Sequence, residues 1–304
     1  MTNKKINFKK LEKNVETPWY KYYETTKAHL EYPNISLYEM LEINSKARLN
    51  LTSYNYFGKK GTYKDLLNKI DECSKSLIKL GVKEKEKVTI CMPNTPEAVA
   101  SFYAINKIGA IASMINPLSA ENEIKYYLNI TETKVLIAVD LTWNKINNIL
   151  KETKVKKVIL LSVSEGMPMY LKIGYNITQG RKNPKPKNKK VLYWNEFIKL
   201  GKEYKKVTKV NRTGKDLAVI LYSGGTSGLP KGIMLSNLNF NALALQSIEA
   251  CGCLKEKDKV LSIMPIFHGF GLGICIHTVF NFGGTAILLP VETTTLGRCF
   301  LKAT

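Results

Sequence analysis

Between Thr62 and Val163, short β-rich runs alternate with segments of helical period, and this alternation restricts the chain to few architectures. TYKDLLNKIDECSKSLIKLG places Leu66, Ile70, Leu77 and Leu80 at helical intervals and stops at Gly81, which predicts an amphipathic helix over 62–81. KVTICMP (87–93) reads as a strand closed by proline. TPEAVASFYAINKIG (95–109) reads as a helix opening on Thr95-Pro96, and AIASMINP (110–117) as a second strand. A helix over 120–130 and the apolar runs KVLIAVD (134–140) and KKVILLSV (156–163) continue the series. Strand and helix at this spacing build βαβ units, so the predicted fold class is α/β with a mainly parallel sheet covered on both faces.

A chain of 304 residues that is 44% hydrophobic can bury one large core or two modest ones. Its charge is lopsided, with 46 basic against 25 acidic side chains and a formal net charge of +21. Much of the excess lies between Lys145 and Lys215, in a pattern that suits an anionic partner or simple solubility. The opening segment MTNKKINFKKLEKNVETPWYK has no apolar core of the kind a signal peptide needs, so the expected location is the cytoplasm. The most apolar windows, 98–116 and 266–290, are interrupted by Asn106 and Lys107 and by His268, His277 and Asn281, and neither reads as a membrane span. Six cysteines without a C-x-x-C pair and three histidines read as reduced thiols, mostly in the core, rather than a zinc site.

After Val163 the texture changes to SEGMPMYLKIGYNITQGRKNPKPKNKK, rich in lysine, glycine and proline, which reads as an exposed insertion or linker. A short helix near 194–201 and a basic stretch to Lys215 lead to the strand DLAVILY (216–222).

That strand ends in SGGTSGLPKG (223–232). Successive backbone N–H groups free of side chains, three hydroxyls and Lys231 form the kind of concave nest that binds phosphate oxygens, each hydrogen bond from the lysine contributing roughly 1.5–3 kcal/mol. Two familiar phosphate loops do not fit. The Walker pattern needs glycine where Pro230 stands and a hydroxyl where Gly232 stands, and G-x-G-x-x-G needs glycine at Ser223. GIMLS (232–236) reads as a second strand before a helix over 236–250, so the loop joins two strands as a hairpin and its amides, not a helix dipole, do the cradling. A glycine-rich turn without a ligand is the commoner use of such a loop.

The run YSGGTSGLPKGIMLSN nevertheless resembles the signature phosphate loop of the adenylate-forming superfamily, which includes acyl-CoA synthetases, firefly luciferase and the adenylation domains of peptide synthetases. Residues 62–117 and PIFHGFGLG (265–273) are similar to further family motifs, so the resemblance covers roughly residues 37–290. It implies the large amino-terminal domain of such an enzyme, without the carboxy-terminal lid. It also implies three regions: an amino-terminal extension over 1–36, a partial AMP-binding domain over 37–290 with a basic insertion at about 164–215, and an atypical tail over 291–304. In that family a carboxylate attacks the α-phosphate of Mg-ATP, pyrophosphate leaves, and a thiol displaces AMP from the acyl-adenylate. Carried over by position, Ser223, Gly224, Gly225, Thr226, Ser227, Gly228 and Lys231 enclose the β- and γ-phosphates, with the Thr226 and Ser227 hydroxyls nearest Mg2+ and Thr226 the metal ligand. The resemblance places His268 on the wall of the acyl pocket; without it, a core histidine on an apolar face is the commoner reading. Phe240, Met264, Phe267 and Phe270 are left to the core. Residues 162–201 look like the insertion of bacterial long-chain fatty acid ligases, which implies a fatty acid, ATP and coenzyme A as substrates.

The family's aromatic-Gly-x-Thr-Glu run, its ribose-binding aspartate and the catalytic lysine of its lid do not occur in this sequence. The expectation is a truncated or frame-shifted chain that does not carry out the whole reaction. Two alternatives stay open: an adenylation domain that loads a carrier-protein thiol, and a basic module for nucleic acid or anionic membrane. The segment from Arg181 to Lys215 reads as solvated surface without the interleaved aromatics of a single-strand binder, so no specific nucleic acid is expected, while a peripheral contact at the inner membrane face stays open.

Overall fold

A computed structural model describes residues 17–23, 26–206, 209–223 and 230–290. The chain runs α1 (Leu37–Ser45), β1 (Thr52–Tyr56), β2 (Lys59–Thr62), α2 (Tyr63–Lys79), β3 (Lys87–Cys91), α3 (Pro96–Lys107), β4 (Ile111–Met114), α4 (Glu121–Ile130), β5 (Val135–Val139), α5 (Trp143–Ile149) and β6 (Lys157–Leu161). It continues through α6 (Met169–Ile177), β7 (Val191–Tyr193), α7 (Trp194–Lys202), β8 (Leu217–Ser223), β9 (Lys231–Ser236), α8 (Asn237–Cys251) and β10 (Lys259–Ser262). A π-helical stretch (Gly271–Thr278), α9 (Val279–Phe282) and β11 (Thr285–Leu288) complete it.

Two sheets result. One has the order β7-β6-β5-β3-β4-β8-β9, parallel throughout except for the antiparallel edge pair β8–β9. The other has the order β10-β11-β1-β2, with β2 its antiparallel edge. The strand alternation shows why the larger sheet is covered twice. Val135, Ile137 and Val139 of β5 join one apolar cluster and Leu136 and Ala138 the other; β6 divides the same way, Ile159 and Leu161 against Val158 and Leu160. Helix α3 is buried along its whole length, so the apolar window over 98–116 is a core helix and strand. Among the described residues no helix is long and apolar enough to cross a membrane.

Local chemistry sets the ends of these elements. Thr62 and Asp65 form a reciprocal capping box: the Thr62 hydroxyl accepts from the Asp65 N–H and the Asp65 carboxylate from the Thr62 N–H. Helix α7 crosses α2 at Gly201, where a Cβ would stand 2.0 Å from the Glu72 carbonyl oxygen, so only glycine permits that approach.

One element was not read from the sequence and another differs from its reading. Thr52–Thr62 is a hairpin whose turn holds Phe57 and Gly58 at φ 51° and 87°, the left-handed pair that a two-residue turn needs. Phenylalanine at the first of these positions hides the signal. The stretch after β6, read as an exposed insertion or linker, contains helix α6, whose apolar residues lie on both faces and so give no one-sided stripe.

Candidate active site

The carboxyl ends of parallel strands collect loops, and β8 ends there with the glycine-rich run. Its antiparallel register with β9 pairs Ser223 with Lys231 and Tyr222 with Gly232, so the two described ends of the loop face each other. The predicted hairpin is therefore present. Gly224, Gly225, Thr226, Ser227 and Gly228 lie outside the described residues. Ser223 is half-buried and Lys231 exposed, and among the described residues Lys231 enters no ion pair. The strand end is held from below by Tyr222, which shares a hydrogen bond of 2.8 Å with the Ser113 hydroxyl of β4 and stacks on Tyr127 of α4 at 4.1 Å between ring centroids. Burial pushes the Tyr222 hydroxyl up to about 12, so it stays protonated.

His268 comes to the same strand from the other sheet. The loop after β10 is clamped by Asn94, which follows β3: its amide donates to the Ser262 and Met264 carbonyls at 2.8 Å each, and its oxygen accepts from the Ile266 N–H at 2.7 Å. The loop then folds back on itself at Gly271, where a Cβ would stand 2.1 Å from the Pro265 carbonyl oxygen. The His268 N–H donates to that carbonyl, and the His268 carbonyl accepts from Leu272 as the π-helical stretch begins. Gly269 lies 3.6 Å, measured from its ideal Cβ, from the Leu221 side chain, two residues before Ser223. His268 is exposed, so it is not a core histidine. That part is taken by His277, which is fully buried between Tyr103 and Asn241.

A groove of about 650 Å³ opens beside the loop, lined by Leu235 of β9, by Leu238, Phe240, Leu243 and Gln246 of α8, by Gly269 and by Tyr32. The Gln246 amide donates to the Tyr32 hydroxyl at 2.7 Å across one end. Phe240, left to the core from sequence, is both buried and on this wall; Met264 and Phe270 are exposed and Phe267 half-buried. Sequence reasoning missed Asn94 and Asn237. The latter's side chain accepts from the Leu37 N–H and the Asn106 amide and donates to the Thr213 carbonyl, fixing the start of α8 after the hairpin. The available signal was a polar residue beside a strand or helix end, which becomes informative only once its partners are known.

The chain as a whole has counterparts among known proteins. The profile described as AMP-binding enzyme matches residues 41–303. The chain belongs to the AMP-binding enzyme family. It is 30% identical over 284 residues to a long-chain-fatty-acid–CoA ligase of Bacillus subtilis (strain 168), covering 90% of this chain and 50% of that protein. It is 30% identical over 226 residues to a probable 4-coumarate–CoA ligase 3 of Dictyostelium discoideum, covering 73% of this chain and 39% of that one. Among solved structures, an anthranilate CoA ligase in complex with anthranoyl-AMP superposes with a TM-score of 0.74 at 22% identity, over 89% of this chain and 48% of that one. The chain spans about half the length of the Bacillus relative. The family membership and α/β fold expected from the phosphate loop are thus those of the protein.

Proposed function

We propose that this chain forms the nucleotide- and acid-binding part of an ATP-dependent, AMP-forming acid–CoA ligase whose acid carries a long apolar chain. The observation that carries this reading is the pairing of Ser223 with Lys231 at the carboxyl end of β8, with the His268 loop packed against Leu221 of the same strand. In the reaction, a substrate carboxylate displaces pyrophosphate from ATP to give an acyl-adenylate, and a thiol then displaces AMP. Lys231 supplies a cation to the departing β- and γ-phosphates, and Ser223 with the residues 224–228 supplies backbone N–H groups and hydroxyls around them. The hydroxyl donors suit a hard divalent ion, so Thr226 and Ser227 would hold Mg2+ together with phosphate oxygens; when bound, the ion neutralises phosphate charge. His268, on the solvent side of the strand end, stands where the acid and the thiol would meet.

Two features support an aliphatic acid. The groove next to Gly269 is walled by leucine and phenylalanine, with polar atoms confined to the Tyr32–Gln246 end and Asn239, and the Bacillus relative bears the name long-chain-fatty-acid–CoA ligase. Titration calorimetry of Mg-ATP into the chain and into Lys231→Ala tests the phosphate half of the reading. The expected result is binding that weakens about tenfold or more on losing the lysine, in line with a charge-assisted contact of roughly 1.5–3 kcal/mol. Equal affinity in both proteins removes Lys231 from the site.

A further inference from the structure

Helix α6 turns apolar side chains to solvent. Met169, Tyr170, Ile173 and Ile177 are 72%, 70%, 52% and 60% exposed. At 3.6 residues per turn these four occupy an arc of about 100°. Leu171 and Tyr175 take the opposite side and pack into the protein. From Gly166 to Asn195 the sequence holds Lys172, Arg181, Lys182, Lys185, Lys187, Lys189 and Lys190 and no acidic residue. Arg181, Lys182, Lys185, Lys187 and Lys189 are exposed, and among the described residues only Lys172 of this set is in an ion pair, with Glu165. The basic segment is pinned beside the helix: the Asn183 amide donates to the Tyr175 hydroxyl at 3.2 Å and to the Asp140 carboxylate at 2.8 Å, and the Tyr193 hydroxyl donates to the Pro186 carbonyl at 3.1 Å. The cluster of bases is therefore held next to the helix that carries the apolar stripe.

We propose that α6 and the segment Arg181–Lys190 form a docking surface for a lipid bilayer with anionic headgroups. The nine residues of α6 are too short to span a bilayer, whose apolar core needs about 20. A short helix whose solvent-facing side is apolar and has lysines nearby lies in the interface instead, its apolar side chains among the acyl chains and the bases against the headgroups. A mostly apolar cavity of about 300 Å³ opens beside the helix, lined by Phe57, Met167, Tyr170, Leu171, Tyr175 and Thr178. Charge complementarity selects the lipid over a second copy of the chain, because two surfaces of this sign repel. The basic run Arg181–Lys190 contains no aromatic residue to interleave with its charges, as a single-strand binder needs, which favours the lipid over nucleic acid. The proposal stands on α6 and its surroundings and does not depend on the ligase reading.

Vesicle co-sedimentation of the full chain tests it, with mixed phosphatidylglycerol–phosphatidylcholine vesicles against phosphatidylcholine alone at physiological salt. The expected result is binding to the mixed vesicles only. The exposed-face variant Met169→Ser/Tyr170→Ser/Ile173→Ser/Ile177→Ser keeps every charge and the fold, checked by circular dichroism, and should bind at least about tenfold more weakly. Lys185→Gln/Lys187→Gln/Lys189→Gln should weaken binding by roughly fivefold for each charge removed. A tryptophan placed by Ile173→Trp should shift to the blue on mixed vesicles and be quenched by brominated lipid. Equal vesicle affinity of the wild type and the four-serine variant overturns the proposal. So does duplex DNA binding at physiological salt by a protein that ignores the vesicles, or a wild-type dimer that the serine variant abolishes without any vesicle binding.

Discussion

Lowering the pH from about 7 to 5 should destabilise this protein through one buried ring. His277 is fully buried, and burial without a charged partner pushes its imidazole down to about 3 from the ordinary 6.5. The geometry requires the neutral form: Nε2–H donates to Asn241 Oδ1 at 3.0 Å and Nδ1 accepts from the Tyr103 hydroxyl at 2.9 Å. Because the folded value lies below the unfolded one, the unfolded chain binds the extra proton, and stability present above pH 6.5 is lost as the pH falls toward 3. At about 1.36 kcal/mol per pH unit the loss is about 2 kcal/mol by pH 5 and on the order of 5 kcal/mol at completion. Carboxylates such as Asp65 and Asp216, held low by the N–H groups of Thr62 and Thr213, lose their contribution only below about pH 4.5, outside this window. Urea denaturation between pH 7 and 5, compared with His277→Gln, isolates the effect: the wild type should lose about 2 kcal/mol that the variant does not. A wild-type curve that is flat over this range, or an NMR titration of the His277 ring near 6.5, refutes the reasoning.

Three substitutions probe the scaffold around the site. Asn94→Ala removes three hydrogen bonds to the His268 loop, two of them buried, and should cost about 2–4 kcal/mol by chemical denaturation, with faster hydrogen exchange at the Ile266 amide than elsewhere in the core. Gly271→Ala drives a Cβ into the Pro265 carbonyl and should lower the melting temperature; an unchanged melting temperature would show that the loop can yield. Thr62→Ala removes half of the capping box of α2 and should cost about 1 kcal/mol, while a change near zero would mean that water replaces the hydroxyl.

The parallel sheet was legible because its strands are buried on both faces, and KVLIAVD and KKVILLSV therefore appear as unbroken apolar runs between helices of clear period. The loop was legible as a hairpin because the short apolar run Ile233–Leu235 follows it directly. Strand β1 was not, since Thr-Ser-Tyr-Asn-Tyr is too polar in composition to stand out as an apolar run and one of its partners, β11, lies more than 200 residues away. Asn94 shows the same limit within the site. Its side chain orders a loop some 170 residues further on, and nothing within its local sequence reveals that contact. Helix α6 escaped because lysine, glycine and proline dominate its surroundings, and its outward apolar stripe acquires meaning only once the inward side is known.

The most direct test of the central claim is to titrate the chain with a hydrolysis-resistant acyl-adenylate, in which a sulfamoyl group replaces the phosphate, over a series of acyl lengths. A single site holding the nucleotide at the Ser223–Lys231 hairpin and the acyl chain in the groove beside Gly269 predicts tighter binding with each added methylene. At about 0.8 kcal/mol per buried CH₂ the gain is roughly fourfold each, until the groove is filled at Tyr32. Affinity independent of chain length, or no binding by any member of the series, contradicts the account.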